Sequence, residues 1–157
     1  MLTKDIMTKY VLTCGPETTV HQLIRLFVKH GVNSIPVVGE DNRLMGIISE
    51  GDLLYKKVRP HVPRYVNVLG ASLYYSGYGK YEDTFQKLLA TTAKEIMTEH
   101  VIYVAPESEA DVVADLMVEE HLKNVPVVQN ERLVGIVDRS DILRLIAKEN
   151  DLPADKE

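Results

Sequence analysis

The chain has few cysteines and no long apolar segment, and each absence excludes a class of protein. Cys14 is the one cysteine among 157 residues, so an internal disulfide is impossible and a reducing cytosol is the simplest location. Residues 1–16 contain no apolar stretch suited to a signal peptide, and no segment approaches the ~20 apolar residues that span a bilayer. We therefore expect a soluble, cytoplasmic protein with no membrane partner.

Positive charge is also scarce. Lys and Arg number 18 against 23 Asp and Glu, which gives a formal net charge of −5. Binding to a phosphate backbone requires a basic face, so we expect no nucleic-acid partner. The composition is otherwise that of a soluble globular protein, 45% hydrophobic and 26% charged.

Sequence signatures of catalysis and metal binding are missing as well. The five histidines show no metal-ligand spacing, so we predict no metal site. There is no nucleophile elbow, no glycine-lysine loop that cradles phosphates and no zinc-hydrolase motif. We therefore assign no catalytic residues and no catalytic cofactor.

The chain contains an internal sequence repeat. SIPVVGEDNRLMGIISEGDLL, at residues 34–54, returns as NVPVVQNERLVGIVDRSDIL at residues 124–143. Each copy has a run containing Pro-Val-Val, a polar turn, a second apolar run around a glycine, and an aspartate three residues after Ser49 or Asp138. This internal repeat is the strongest signal in the sequence and predicts two similar units.

The residues before this stretch are duplicated too. Residues 5–8 (DIMT) and 95–98 (EIMT) open the copies, and the runs at 10–13 and 101–104, each followed by a proline, predict strands. Thr18 and Ser108 are candidate helix caps, and Gly31 is suited to end the first helix, where the second copy has His121. Between them, apolar residues follow the spacing of one helix face: Val20, Leu23, Ile24, Phe27 and Val28, then Ala110, Val113, Ala114, Met117 and Val118.

Two strands and a helix complete each copy. Residues 35–38 and 44–48 predict strands joined by a turn, as do 125–128 and 133–137, with Pro36 and Pro126 at strand starts or on an edge. Helices follow at about 50–57 and 139–150, and in the second we expect inward-facing Ile142, Leu143 and Ile146.

Each copy is therefore β-α-β-β-α, and the fold class is α/β (α+β). We expect a right-handed parallel crossover followed by an antiparallel hairpin in each copy. One unit of ~55 residues buries little apolar surface, so the two should pack face to face about a pseudo-two-fold axis.

Residues 58–92 differ in character from both copies, so we divide the chain into domains at 1–57 and 93–157 with an insert between them. Pro60 and Pro63 break regular structure, and six of the eight tyrosines lie within residues 55–92. An amphipathic helix is expected from about Tyr81 into the second copy. The segment is either a linker that packs its aromatic residues outside the pair, or a lid over a ligand cleft or a dimer contact.

The doubled pattern resembles the cystathionine β-synthase (CBS) domain, and two in tandem resemble a CBS pair, or Bateman module. The resemblance rests on Asp-Ile-Met-Thr, the apolar run, the proline, the amphipathic helix, Pro-Val-Val, Gly-Ile-(Ile/Val) and (Ser/Asp)-x-x-Asp, over residues 1–57 and 93–148. It implies a regulatory module that binds adenosine-containing ligands (AMP, ADP, ATP or S-adenosylmethionine) in two clefts between the domains. It also implies a homodimer and a protein partner that responds to the ligand.

The resemblance further implies which residues contact the ligand. In such pairs (Ser/Thr)-x-x-Asp directs a hydroxyl toward phosphate and a carboxylate toward the ribose hydroxyls, and the other domain holds the adenine; a carboxylate can accept from both hydroxyls of a cis-diol. By motif, cleft A would use Ser49, Asp52, Lys94, His100, Val101, Lys123, Asn124 and Val125. Cleft B would use Asp138, Asp141, Lys4, Lys9, Tyr10, Val11, Asn33, Ser34 and Ile35.

The two clefts are not equivalent. Cleft A has the Ser49 hydroxyl with Lys123, and Lys94 or His100, as nearby cations, which suits a phosphate. In cleft B, Asp138 replaces the hydroxyl, and its carboxylate would repel a phosphate unless Arg139, Lys4 or Lys9 offsets the charge. We expect cleft A to bind a nucleotide more tightly, and cleft B to be weaker, empty or selective for a less negative ligand.

Other interpretations stay open. Ser49-x-x-Asp52 and Asp138-x-x-Asp141 are also ordinary helix starts, with a cap and an acid in the first turn, and one side chain can serve both roles. The chain could be a ligand-free structural or interaction domain with the tyrosine-rich insert as its contact surface. An enzyme has little support, because the two copies occupy nearly the whole chain.

Overall fold

Two copies of one unit make up most of the part of the chain that the computed structural model describes, residues 1–53, 67–68, 71–72 and 89–150. The first copy contains α1 (Thr3–Ile6), α2 (Val20–His30), β1 (Ser34–Val38), a 3-10 turn (Glu40–Asn42) and β2 (Leu44–Ser49). Two short strands that pair antiparallel follow, β3 (Asn67–Val68) and β4 (Ala71–Ser72). The second copy contains α3 (Ala93–Ile96), α4 (Ala110–Glu119), β5 (Asn124–Gln129), β6 (Arg132–Asp138) and α5 (Arg139–Glu149).

Some predictions concern residues that the structure does not describe. The chain is helical from Glu50 to Leu53, as predicted, but the expected end of that helix near residue 57 lies outside the described residues. So do most of the tyrosine-rich insert and the start of the helix predicted from Tyr81, of which Leu89 and Ala90 are described as helical. Within the described ranges, no helix has the length and apolar character needed to cross a membrane.

Each Pro-Val-Val run forms an antiparallel hairpin with the glycine-containing run that follows it, as predicted. Ser34 pairs with Ser49 at one end of the β1–β2 ladder, and Asn124 pairs with Asp138 at the same end of the β5–β6 ladder. The first residue of β1 or β5 therefore lies beside the residue from which the following helix begins.

The strands predicted at 10–13 and 101–104 are wrong in extent, because pairing is reduced to a single residue per copy: Cys14, just after the first segment, and Val104, the last residue of the second. Cys14 N–H donates to Pro36 O (3.0 Å) and Cys14 O accepts from Val38 N–H (2.9 Å), which is the parallel direction expected. The next bond of a parallel ladder would need an N–H from Pro36, which proline lacks. Of the two predicted placements, a strand start or an edge, Pro36 takes the edge: it lies inside β1 with its nitrogen on the side away from β2, and Val104 pairs with β5 around Pro126 in the same way.

The opening segment of each copy packs on the other copy. Thr8 N–H donates to Ile136 O of β6 (2.8 Å), and Ile136 N–H donates back to Thr8 O (3.0 Å). Thr98 and Ile47 of β2 exchange the same two bonds, at 2.9 and 3.0 Å. Each hairpin is therefore extended along one edge by a residue of the partner copy, which ties the two copies into one structure.

Because of these bonds between the copies, the helix starts also differ from those predicted. Thr18 and Ser108, the predicted caps, accept bonds from the other copy through their carbonyl oxygens: Ala93 N–H donates to Thr18 O (2.7 Å) and Thr3 N–H donates to Ser108 O (2.8 Å). Thr19, one residue later, caps α2 by accepting from the backbone N–H three residues on (3.3 Å). The helix starts are thus fixed partly by inter-copy backbone bonds, which sequence spacing does not reveal.

The buried side chains form one cluster per copy, and each cluster includes residues from the other copy's opening segment. Ala93, Ile96 and Met97 pack with the first cluster, whereas Ile6 and Met7 pack with the second. The remaining members of the first cluster are Cys14, Val20, Leu23, Ile35, Val37, Ile48 and Leu53, and those of the second are Val104, Val113, Met117, Val125, Val127, Val137 and Ile142. Neither copy completes its core alone, which agrees with the expectation that one unit is too small.

Four of the side chains predicted to face inward are exposed: Val28 (80%), Val118 (73%), Leu143 (65%) and Ile146 (46%). Val28 and Val118 come eight positions after the first buried residue of their helices, which rotates them about 80° from it at 3.6 residues per turn. In α5, Ile142 is buried as predicted, together with Asp141 and Leu145, so the inward face is turned away from Leu143 and Ile146.

Gly31 ends α2 in the left-handed region, with φ of 61°, and its N–H donates to Phe27 O (2.9 Å), as predicted. His121 adopts the same region in the second copy, with φ of 55°. A side chain at this backbone conformation is strained, whereas glycine is not. The second copy therefore retains the turn and gains an imidazole at its tip.

Candidate functional site

A cleft forms where the two copies meet at the first residues of β1 and β5. Ser34 is buried, and its hydroxyl donates to the side-chain oxygen of Asn124 (2.8 Å). This hydrogen bond links β1 of the first copy to β5 of the second. The pairing of Thr98 with Ile47 places the following residues of the second copy beside β2. The end of β2 and residues 98–102 thereby become two walls of one cleft.

The cavity in this cleft has a volume of about 520 Å³, within the range of small-molecule sites. The first copy contributes Asn33, Ser34, Ile47, Ser49, Glu50, Gly51 and Asp52. The second copy contributes Thr98, His100, Val101, Ile102, His121, Leu122, Lys123, Asn124 and Pro126.

Six of the eight residues assigned by motif to cleft A line this cavity: Ser49, Asp52, His100, Val101, Lys123 and Asn124. The other two do not. Val125 is fully buried in the second cluster, and Lys94, whose backbone N–H donates to Pro16 O (3.0 Å), is not among the lining residues. The structure thus brings most of the set together, and ligand contact by these residues stays a prediction.

Several lining residues were not identified from the sequence for this cleft. The motif assigns Asn33 and Ser34 to cleft B, but they lie on the wall of cleft A. Glu50 and His121 had no assigned role, although Glu50 directly follows Ser49 and His121 stands where the first copy has Gly31. That break in the repeat was the available signal for His121.

Ser49 and Asp52 form a reciprocal pair at the start of their helix. Asp52 Oδ2 accepts from Ser49 N–H (2.9 Å), and Ser49 Oγ accepts from Asp52 N–H (3.2 Å), so both act as caps. Asp52 is only 8% exposed, yet it borders the cavity. A carboxylate offers about four lone-pair sites and a hydroxyl keeps a proton to donate, so capping is compatible with ligand contact.

Asp138 and Asp141 make the equivalent pair in the second copy, with more internal bonds. Asp141 Oδ2 accepts from Asp138 N–H (2.9 Å), and Arg144 donates to Asp141 Oδ1 (2.8 Å). Asp138 Oδ1 accepts from the backbone N–H groups of Ser140 (2.7 Å) and Asp141 (3.2 Å), and from the Ser140 hydroxyl. Unlike Ser49, an ionised Asp138 has no proton to donate to a ligand.

The remaining residues assigned to cleft B are spread over different environments. The Lys4 ammonium is bonded to the Glu107 carboxylate (2.9 Å), and this hydrogen bond and charge raise the pKa of Lys4. Lys9 and Tyr10 are exposed, Val11 is half-buried, and Ile35 is fully buried in the first cluster. Arg139 donates through Nε to Leu122 O (2.9 Å). Two of the cations proposed to offset Asp138, Lys4 and Arg139, therefore have protein partners.

The lone thiol of the chain is buried in the first cluster. Burial raises the pKa of Cys14 to about 11, so the thiol stays protonated at neutral pH inside the first cluster. Across the described ranges, no three His, Cys, Asp or Glu side chains are grouped so that they could hold a metal ion.

Comparison with known proteins confirms the resemblance inferred from the repeat. A family model described as CBS domain matches residues 4–59 and 93–148. The uncharacterized protein MJ1426 of Methanocaldococcus jannaschii is 31% identical over 155 residues, covering 93% of this chain and 91% of that protein. The CBS domain pair of protein MJ0100, solved with 5′-methylthioadenosine and S-adenosyl-L-methionine, is 27% identical, with a TM-score of 0.67 over 95% of this chain and 98% of that one. CBSX2, solved in complex with AMP, is 21% identical, with a TM-score of 0.71 over 95% of this chain and 98% of that one. This similarity shows a shared fold.

Proposed function

We propose that this chain, which belongs to the CBS domain family, is a regulatory module that binds an adenosine-containing ligand in cleft A. The observation that carries the proposal is the cavity of about 520 Å³ that both copies line. Ser49 and Asp52 face it from one copy, and Val101, Lys123 and Asn124 face it from the other. A ligand there would contact both copies at once, and its binding energy would depend on their relative position.

The lining chemistry fits the parts of an adenosine compound. The Asp52 carboxylate can accept hydrogen bonds from both ribose hydroxyls, and the Ser49 hydroxyl can donate to the 5′ substituent. Ile47, Val101, Ile102 and Pro126 supply apolar surface for a flat base. The CBS pair of MJ0100, with its two adenosyl compounds, supports the same ligand class. AMP, ADP, ATP and S-adenosylmethionine are therefore the compounds to test.

A thermal-shift screen tests this proposal. We expect at least one adenosyl compound, from AMP, ADP, ATP, adenosine, 5′-methylthioadenosine and S-adenosylmethionine, to raise the unfolding temperature. A ligand at a hundred times its dissociation constant adds about 2.7 kcal/mol of stability. GMP is the matched control, since it changes the base and keeps the ribose and phosphate. No shift with any adenosyl compound would contradict the proposal.

A ligand-free interaction module is the second candidate. It is favoured by the capping bonds of Ser49 and Asp52, which give both side chains a structural role without any ligand. In that case the tyrosine-rich insert would be the contact surface, and the thermal-shift screen would show no adenosyl compound that stabilises the protein.

We further propose that the module acts without catalysis, in the cytoplasm, as a homodimer that transmits its ligand state to a partner protein. Self-association is supported by exposed apolar side chains on three helices, Val28, Val118, Leu143 and Ile146. Light scattering should give a mass about twice the 17.7 kDa of the chain. A strict monomer would remove the dimer from the proposal.

A further inference from the structure

An ion pair joins the two copies at the lining of the cavity. Lys123 Nζ lies 2.6 Å from Glu50 Oε1, and both residues line cleft A. Glu50 belongs to the helix start of the first copy, whereas Lys123 directly precedes β5 of the second. Lys123, which is predicted to attract a phosphate in this cleft, is therefore already bonded to a carboxylate.

The two backbones that carry this pair are anchored, so the side chains are the adjustable part. Glu50 N–H donates to Asn33 O (3.0 Å), and Lys123 O accepts from Arg139 N–H (3.1 Å). The side chains are 43% and 55% exposed. An exposed pair of this kind is weak, so a ligand phosphate can break it, but only by competing with the Glu50 charge.

The second copy does not repeat the arrangement. Asn33 stands at the position equivalent to Lys123, and Arg139 stands at the position equivalent to Glu50. The backbone bonds between these positions are the same in both copies. An acid opposite a lysine is thus a property of cleft A alone, and it is not needed to build the fold.

We propose that Glu50 is a specificity-determining residue of cleft A, which lowers the affinity for phosphate-bearing adenosine ligands by competing for the Lys123 ammonium. The inference rests on the proposed binding of an adenosine compound in this cleft. A bound phosphate would lie near Lys123 and would be repelled by Glu50 and by the neighbouring Asp52 carboxylate. A ligand without phosphate has no such competition, so Glu50 shifts the preference toward uncharged 5′ substituents.

The test is to measure AMP and adenosine binding by calorimetry for the wild-type protein and Glu50→Gln, since the two ligands differ only by the phosphate. Glu50→Gln keeps the side-chain size and the backbone bond. We expect the AMP affinity to rise roughly three- to tenfold at low salt and the adenosine affinity to change by less than about twofold. The gain for AMP should shrink at high ionic strength, because salt screens exposed charges.

Matched variants separate this role from a general effect of charge or packing. Glu17→Gln removes one exposed carboxylate outside the cavity and should leave the AMP-to-adenosine ratio unchanged. Glu50→Asp keeps the charge and should retain the wild-type ratio. Lys123→Gln should lower the affinity for AMP but not the affinity for adenosine. In the Lys123→Gln protein, adding Glu50→Gln should raise the AMP affinity by a smaller factor than it does in the wild-type protein.

The outcomes distinguish the inference from the function on which it rests. Equal changes for AMP and adenosine in Glu50→Gln, or a loss of AMP affinity, would overturn the role of Glu50 while leaving adenosine binding in place. If no adenosyl compound, including 5′-methylthioadenosine and S-adenosylmethionine, binds the wild-type protein or any variant, the proposed function fails; if only those two bind, the function stands and the role of Glu50 is overturned.

Discussion

Replacing Asp52 by Asn is expected to weaken adenosine binding by about 10- to 100-fold, the cost of losing hydrogen bonds to a charged group. The amide retains one oxygen to accept from Ser49 N–H, so the helix cap can survive. It loses the second acceptor that a ribose cis-diol requires. Calorimetry with adenosine measures the effect directly, and adenosine is preferred because it avoids the phosphate term.

Asp141→Asn is the matched control for Asp52→Asn. Both aspartates are 8% exposed, and each accepts from the backbone N–H of the residue three positions before it. We expect Asp141→Asn to change adenosine binding at cleft A by less than about threefold, because the substitution lies in the other copy. If only Asp141→Asn abolished binding, the assignment of the ligand to cleft A would be wrong.

Replacing Gly46 by Ala is expected to lower the free energy of unfolding by about 3 kcal/mol, at the upper end of the usual cost of overpacking. A Cβ at this position would overlap the Met97 side chain and lie 2.9 Å from Thr98 O. Met97 can rotate, but the Thr98 carbonyl is held by its pairing with Ile47. The substitution therefore pushes the opening segment of the second copy away from the hairpin of the first.

Urea unfolding of Gly46→Ala measures this cost, with Gly15→Ala as the matched control. At Gly15 the nearest atom to a Cβ is Thr18 Oγ1 at 4.0 Å, so that variant should unfold within about 0.5 kcal/mol of the wild-type protein. Gly135→Ala, which would meet Met7 and Thr8 O, should resemble Gly46→Ala. Equal stability of Gly46→Ala and Gly15→Ala would contradict the inter-copy packing described above.

The repeat predicted the hairpins and the helix order because both depend on local patterns. Two apolar runs separated by a short polar turn predict an antiparallel hairpin, which the pairing of Ser34 with Ser49 confirms. The exchange of opening segments could not be predicted, because Thr8 and Thr98 would satisfy the same pattern by pairing within their own copy. Only the packing decides which copy they join.

The same limit applies to the candidate site. The motif groups Ser49 and Asp52 with Lys123, and all three line the cavity, while ligand contact by them stays a prediction. It could not show that Lys123 is bonded to Glu50. The two residues are 73 positions apart, and the equivalent positions of the repeat hold Asn33 and Arg139, which are not a lysine and an acid. The outward orientation of the Leu143 side chain in α5 could not be predicted either. An apolar residue that follows a buried one can lie on the buried or on the exposed face of the helix.

A crystal structure of the protein with an adenosyl ligand tests the central claim most directly. We expect the ligand in the cavity between the copies, with its ribose hydroxyls within hydrogen-bond distance of the Asp52 carboxylate and its base beside Val101. Adenosyl density found only beside Asp138 and Asp141, or at no inter-copy cleft, would contradict the account.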